Sequence, residues 1–548
     1  MSDRSVRHRP PERLVRRPPG FAGLLGATAG FCLSLTPSLL PRHWALQAVL
    51  SAIAMATGYG AGAVLGAVVR RVWPGTPPVP AWGWWATGGA GAGLAALFLY
   101  YGSTWQEQVR ALVGAPPADW PLLSLLGLTV AVFAALLLVA RSVRLLTRRL
   151  ADALTRFSPR PVASVTAVGL VAALSYGLGP GVAFPGFVDL AERAAAQANQ
   201  DTAEGLSRPD SGYVSGGPGS LVGWETLGAY GREFTATAVP EAELADFRGG
   251  PVMPPVRVYV GVDSAPTLAE RVALAVRELE RTGGLRREVV AVVVTTGTGW
   301  VNPAVPAALE YLHGGDTAVV GMQYSYLPSW ISFMADRSAA TAAARELIEA
   351  VGDRLARLPE SQRPELVVYG ESLGSHGIES AFGDLAGLLA ATDGALLVGP
   401  PHSNPIWNAV RERGTPEAPP WRPAVTGAPV SFAAGAGELP VPAGDGGPEV
   451  VYLHHASDPV VWWSPELLYR EPEWLDGQRG PDVSGRMRWL PVVTFWQVTV
   501  DLIRSTKAPP GHGHVYRESI ADGWAALVPP PGWTGADTAA LRDRLSTP

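Results

Sequence analysis

Two hydrophobic patterns divide this chain of 548 residues. In the first third, apolar residues come in long, nearly unbroken runs. These are Phe21–Leu40, Trp44–Val69, Trp82–Tyr101, Pro121–Ala140 and Val162–Leu178. Each approaches the roughly 20 residues that a helix needs to cross hydrocarbon, so five spans are expected. The first contains Pro37, ends at Pro41 and is compatible with a re-entrant path. The third is glycine-rich around Gly88–Gly93, which favours close helix packing in lipid. A basic stretch precedes the first run, with Arg4, Arg7, Arg9, Arg13, Arg16 and Arg17. That order also marks a signal peptide, but the quick succession of further runs argues against one.

From Val256 the pattern changes to short apolar runs alternating with helical periodicity. Strands are expected at Val256–Val262, Glu288–Thr295, Thr317–Gly321, Leu366–Tyr369, Ala395–Gly399 and Val450–Leu453. The run of Val289 to Val294 suits a strand covered on both faces. Thr267–Arg281 reads as a helix, with Leu268, Val272, Ala275, Val276 and Leu279 at helical spacing, and Ala339–Leu358 reads as a second. This alternation predicts a doubly wound, mainly parallel sheet. The Gly- and Pro-rich stretch from Arg411 to Pro448 reads as surface loop. Between the two patterns, residues 181–255 form a connector. It holds a short amphipathic helix at Phe187–Gln197, a turn-rich segment at Ser211–Leu221 and helical character at Trp224–Phe234. Its glycines lack Walker spacing, so it is expected to be an ordered linker packed on the second domain. The expected division is therefore a membrane domain at 1–180, the connector at 181–255 and a catalytic domain at 256–548.

Composition agrees with a membrane part, at 47% hydrophobic and only 17% charged residues. A net charge of −5 gives no basis for a nucleic-acid partner. Cys32 is the sole cysteine, which excludes an internal disulfide and a cysteine-based zinc site. The basic residues are arginines apart from Lys507, a bias typical of a GC-rich genome. Arginines also mark the loops. Arg70 and Arg71 follow the second run, and Arg141, Arg144, Arg148, Arg149, Arg156 and Arg160 follow the fourth; Arg42 and Arg110 are the only ones in the intervening loops. The positive-inside rule then sets the N-terminus in the cytoplasm and, with five spans, everything after about Gly179 outside. An even span count would instead leave the second domain in the cytoplasm.

The candidate chemistry centres on Gly370-Glu371-Ser372-Leu373-Gly374, which follows a strand and precedes a helix. A chain this rich in Gly and Ser can meet G-x-S-x-G by chance, so its context decides. In context it reads as a nucleophile elbow, whose acid and histidine partners follow it in that order. A serine hydroxyl needs an imidazole to take its proton and a carboxylate to orient the imidazole. Asp458, in a loop after a strand, is the candidate acid; its plain alternative is a cap for the turn at Pro459. Asp476, Asp482 and Asp501 are less well placed. His514 is the candidate base, with His512 as the alternative. His376, His454 and His455 are read as helix, strand-end or pocket-lining residues. For the oxyanion, one donor is expected from the Leu373 N–H. A second is expected from the Thr295–Trp300 loop, at Thr298 beside Gly297 and Gly299. Trp300, Tyr324, Tyr326, Trp330, Trp407, Trp462 and Trp463 sit in loops after strands and are candidate walls of a substrate pocket.

Four segments carry a family likeness: Ser34–Arg42, Ser215–Leu221, Gly370–Gly374 and Gly511–His514. Through them the chain resembles actinobacterial membrane proteins that join an N-terminal multi-span domain to a C-terminal α/β-hydrolase domain. The resemblance covers nearly the whole chain. It implies an α-helical transmembrane domain followed by an α/β-hydrolase domain, a serine hydrolase held in the cytoplasmic membrane, and no particular substrate. The expected activity is that of an esterase or lipase on an acyl ester of lipid or cell envelope, without a cofactor or metal. Three other readings stay open. Acyl transfer would use the same triad. A non-catalytic scaffold or transporter would use the fold as a binding module, although the spans hold few ionisable residues. A metal hydrolase would use His454, His455, Asp458, His512 and His514, although their spacing fits no known ligand motif.

Overall fold

The computed structural model describes residues 20–546, apart from 76, 78, 416 and 443–445. The N-terminal arginines from Arg4 to Arg17 lie outside the described residues. Contacts divide the chain into two compact units. One comprises the residues up to Phe187 together with Pro465–Pro472 and Ser484–Ile503. The other comprises Val188–Ser464, Glu473–Val483 and the residues from Arg504 onward.

The first unit is helical. Each apolar run nucleates a helix: Phe21–Ser34, Trp44–Val72, Ala81–Leu112, Leu122–Leu154 and Arg160–Leu178. Among the described residues, three helices are long and apolar enough to span a membrane, at Trp44–Val72, Leu122–Leu154 and Arg160–Ala198. Phe21–Ser34 is apolar but only 14 residues long. Ala81–Leu112 has 32 residues, but glycines and the polar Gln106, Glu107, Gln108 and Arg110 dilute its hydropathy. The last helix runs well past the expected Leu178. It continues through a π-turn at Gly179–Ala183 into Phe184–Ala198. Pro180 has no N–H to give, so the regular ladder cannot pass it and the backbone widens there.

Close glycine packing occurs in this unit, but not mainly where the sequence pointed. A Cβ on Gly26 would lie 2.0 Å from the Gly58 carbonyl oxygen, and one on Gly30 would lie 2.2 Å from that of Ala54. The first two helices therefore touch backbone to backbone. Gly88, Gly89 and Gly93 of the third have open space around them.

The second unit is built on a seven-stranded sheet with the order β1-β3-β2-β4-β5-β7-β6. The strands are β1 Val256–Val260, β2 Val289–Val294, β3 Thr317–Met322, β4 Glu365–Glu371, β5 Gly394–Val398, β6 Val430–Ala433 and β7 Val450–Leu453. Every pairing is parallel. β2 is buried along its whole length, which its six consecutive apolar residues require. The one strand the sequence pattern did not show is β6, at the sheet edge inside the Gly- and Pro-rich stretch read as loop. Four residues next to Pro429 leave too little alternation to read, and an edge position tolerates a neighbouring proline.

The connector is ordered by specific bonds. Val214 makes a parallel bridge to Arg257. The Glu278 carboxylate accepts bonds from Ser220 Oγ at 2.6 Å and the Leu221 N–H at 2.9 Å. The helix carrying Glu278, Leu268–Arg281, opens with a Thr267/Glu270 capping box. β2 and β4 are adjacent, with Val294 opposite Gly370. Chain direction across the sheet changes between them, so the loops that leave their C-terminal ends flank the crevice where ligands bind in such sheets.

Candidate active site

β4 ends in a turn with an unusual backbone conformation. Ser372 has φ 56° and ψ −117°, and only Val492 shares a positive φ among the described non-glycine residues. The serine then caps the helix Leu373–Phe382. The flanking glycines are there for lack of space. A Cβ on Gly370 would lie 2.6 Å from the Gly374 carbonyl carbon, and one on Gly374 would lie 2.3 Å from the Val294 oxygen. The turn is thus wedged against the end of β2, and both glycines of the pentapeptide are sterically required. Strain of this kind persists only where the surroundings over-determine it. The Ser372 N–H donates to the Val398 oxygen at 2.9 Å, and the Ser372 carbonyl accepts from Ser375 Oγ at 2.7 Å.

Asp458 follows β7 and is fully buried. Its two oxygens do different work. Oδ1 accepts the Val460 N–H at 2.8 Å and so caps the turn at Pro459. Oδ2 accepts from His514 Nδ1 at 2.6 Å and from the Tyr516 hydroxyl at 2.5 Å. The capping role and the histidine contact coexist. With Nδ1–H donating to the carboxylate, Nε2 carries the lone pair whenever the ring is neutral. Nε2 is buried and makes no hydrogen bond among the described residues.

The imidazole is held above the floor of the site by β5. A Cβ on Gly399 would lie 2.4 Å from His514 Cε1 and 2.9 Å from the Tyr516 ring. Gly399 directly follows Val398, the residue that accepts the Ser372 N–H. The histidine ring thus lies over the residue beside the serine. Gly399 has φ +52° and belongs to this site, although nothing in the strand pattern singled it out.

Electrostatics favour an imidazolium here. Burial pushes the His514 pKa down, but the Asp458 charge, its hydrogen bond and the Glu371 charge together hold it above the ordinary value. Burial pushes Asp458 up, yet the His514 charge and the bonds from His514, Tyr516 and Val460 leave it below the usual carboxylate value. Glu371, next to the serine, is buried and accepts from the Tyr369 hydroxyl at 2.6 Å and Asn302 Nδ2 at 3.2 Å. Burial raises its pKa, opposed chiefly by His514.

His512 has a different partner. Its Nδ1 lies 3.2 Å from Asp482 Oδ2. Asp482 also accepts a short bond from Ser457 Oγ, and Ser457 Oγ in turn accepts the Gly513 N–H at 2.9 Å. His455 Nδ1 donates to the Gly513 carbonyl at 2.9 Å, with its ring stacked on Tyr516. Gly513 is therefore gripped on both sides, and the loop presents His514 rather than His512 to Asp458. His454 is buried among the rings of Trp407, Phe432 and Trp462, where burial lowers its pKa to about 4.

The Thr295–Trp300 loop leaves β2 beside the serine turn. Thr296 N–H donates to the Trp300 oxygen at 3.2 Å, and Gly299, at φ +86°, packs on Tyr259. The Gly297 N–H is already engaged by Ser329 Oγ at 3.3 Å. The Thr298 carbonyl accepts from Gln323 at 2.9 Å, and its N–H has no acceptor among the described residues. Leu373, as the first residue of its helix, has no intrahelical acceptor for its N–H.

The aromatic candidates separate. Trp462 is core, donating to the Ala456 oxygen and packing on Trp407 and Trp474. Trp407 and Tyr324 are buried as well. Tyr326 donates to Asp263 at 2.5 Å and helps line an open cleft of about 340 Å³ with Asp189, Glu192, Arg193 and Ala196. Trp300 is half-buried and Trp330 is exposed. No group of three or more His, Cys, Asp or Glu converges as metal ligands among the described residues.

Comparison with known proteins covers most of the chain. A family model described as "Alpha/beta-hydrolase family" matches residues 256–541, more than half of the sequence. A second, described as "Alpha/beta-hydrolase family N-terminus", matches residues 35–238. No curated protein and no solved structure matches the chain.

Proposed function

The chain belongs to this alpha/beta-hydrolase family, and we propose that it is a membrane-anchored serine hydrolase that cleaves acyl esters of lipid or cell envelope. The observation that carries the reading is the buried Asp458–His514 bond of 2.6 Å, which leaves Nε2 bare above the residue beside a serine with φ 56°. In this reading Nε2 takes the Ser372 Oγ proton as Oγ attacks the ester carbonyl carbon. The Leu373 and Thr298 N–H groups receive the oxyanion. The alkoxide leaves with the proton from Nε2, giving an acyl-serine. Water, deprotonated at Nε2, then attacks the acyl carbon and frees Ser372 and the acid. His514 Nε2 has no hydrogen-bond partner among the described residues, which suits a site whose contact tightens on substrate.

The ester class follows from location. Three helices long and apolar enough to span a membrane favour substrates in or near lipid. Transfer of the acyl group to an alcohol instead of water would use the same intermediate. The test is activity-based labelling. A fluorophosphonate should label the wild-type chain, and Ser372→Ala should abolish both labelling and turnover of a short p-nitrophenyl ester. Wild-type labelling of Ser372→Ala would remove Ser372 as the nucleophile.

A further inference from the structure

The segment Ser34–Arg42 takes no part in the chemistry above, yet it is among the most elaborately bonded parts of the first unit. Arg42 is 1% exposed. Its guanidinium donates to the Ser34 oxygen at 3.0 Å, the Thr36 oxygen at 2.7 Å and Gln47 Oε1 at 2.7 Å. Its own N–H donates to Gln106 Oε1 at 2.8 Å, and its carbonyl accepts from Arg110 at 3.0 Å. These bonds fix the turn as a rigid loop with its backbone amides turned toward a partner.

That partner comes from more than 450 residues away. Asp501 Oδ2 accepts the Leu39 N–H at 3.0 Å and the Leu40 N–H at 3.4 Å, and Oδ1 lies 3.9 Å from Arg42 Nε. Gln497 Nε2 donates to the Thr36 oxygen at 3.0 Å and to Thr36 Oγ1 at 2.9 Å. Both residues lie on the helix Val493–Leu502. That helix belongs to the first unit, whereas Asp458 and His514, on either side of it in sequence, belong to the second.

The start of the helix is also held firmly. Val492 has φ 64° and ψ −42°, a conformation that a β-branched residue resists. It is kept there by bonds to the other inserted piece. The Val492 N–H donates to the Leu468 oxygen at 3.1 Å, and Trp489 Nε1 donates to the Leu467 oxygen at 3.0 Å.

We propose that the Thr36–Arg42 turn is an internal receptor for the Val493–Leu502 helix, and that Asp501 and Gln497 dock there to fix one end of the chain segment that delivers His514. Asp501 is then a positioning residue for the hydrolase reaction, and this role rests on the triad reading above. His514 lies twelve residues beyond the end of the helix and Asp458 lies before it, so the clasp anchors the chain between the two members of the pair.

The test uses the full chain in detergent micelles with a short p-nitrophenyl ester. Asp501→Ala should lower kcat tenfold or more with KM little changed, and should slow fluorophosphonate labelling in parallel. The pH midpoint of labelling should fall toward that of an ordinary imidazole, because loosening the Asp458–His514 pair removes what raises it. Asp501→Asn keeps an acceptor for the Leu39 and Leu40 amides and should restore most of kcat. If Asp501→Ala does not accumulate as folded protein, Gln497→Ala, which leaves the Asp501 bonds in place, should give a smaller loss with the same shift in midpoint. An unchanged kcat and midpoint in folded Asp501→Ala would overturn the clasp, as would a loss of kcat with the midpoint unmoved. Both outcomes leave the Ser372→Ala result intact, whereas labelling of Ser372→Ala would overturn the hydrolase reading itself.

Discussion

At the scale of single residues, the site depends on which form His514 takes. Its pKa is held above the ordinary value near 6.5 by Asp458 and Glu371 against the effect of burial. A raised histidine pKa stabilises the fold fully below about pH 6.5, and that contribution is lost as pH rises through the folded-state value. Asp458, held below its usual value, contributes above about pH 4 and loses its contribution as pH falls through the folded-state value. The pair is therefore most stabilising in the window between. In the proposed reaction His514 must be neutral to act as a base, so catalysis would gain where the fold loses. The labelling rate should rise with pH, with a midpoint above 6.5. Glu371→Gln removes one of the charges that raise the pKa, and should move that midpoint down. A midpoint unchanged in Glu371→Gln would show that Glu371 acts only through packing. Some of these residues were legible in the sequence. Ser372, Asp458 and His514 were candidates from their order along the chain, and Asp458 and His514 are in direct contact. Gly399 was not singled out, because it meets His514 only through the fold and leaves no local spacing to read, whereas Glu371 and Tyr516 stand next to the candidates in sequence but their bonds to Tyr369 and Asp458 do not show there.

At the scale of elements, the serine turn is the part most tightly specified by shape. Gly374 has no room for a Cβ, which would lie 2.3 Å from the Val294 oxygen, so Gly374→Ala must push the elbow helix off β2 or break the turn. Overpacking of this kind typically costs about 1–3 kcal/mol. Gly374→Ala should therefore lower the thermal midpoint by several degrees and abolish fluorophosphonate labelling. Gly535→Ala is the matched control, because a Cβ there meets nothing within 4 Å; it should leave both unchanged. Equal effects of the two substitutions would contradict the steric argument. The strands were readable because a parallel, doubly covered sheet needs continuous apolar runs, which stand out in any window. The elements that escaped were those with weak local signals. β6 has four residues inside a proline-rich stretch, and the last membrane helix passes Pro180 by widening into a π-turn.

At the scale of the whole molecule, the sequence could not show that Ser484–Ile503 belongs to the helical unit, because the bonds that put it there span more than 450 residues. Nor did it show that Arg42 and Asp501 form a buried pair in that unit, although the scarcity of ionisable residues in the spans had counted against a working role for the membrane part. Arginine placement supports the proposal that the second unit faces out of the cytoplasm. Arg70 and Arg71 end the helix Trp44–Val72, and Arg141, Arg144, Arg148 and Arg149 lie in the last half of Leu122–Leu154. If only the three most apolar helices crossed, these two clusters would lie on opposite sides. Both can be cytoplasmic only if Ala81–Leu112 crosses as well, and its 32 residues, about 48 Å of helix, are long enough. Trp82 and Trp85, both largely exposed at its start, suit an interfacial aromatic belt. Arg160–Ala198 then starts in the cytoplasm and carries the chain out. This proposal does not depend on whether Phe21–Ser34 crosses, because it is argued from the two arginine clusters downstream of it. A phosphatase that is active only after export, fused to the C-terminus, should therefore be active, and a fluorescent protein that matures only in the cytoplasm should stay dark. The reverse pattern would mean that one of the four helices from Trp44 onward does not cross, and would place Ser372 among cytoplasmic rather than envelope esters.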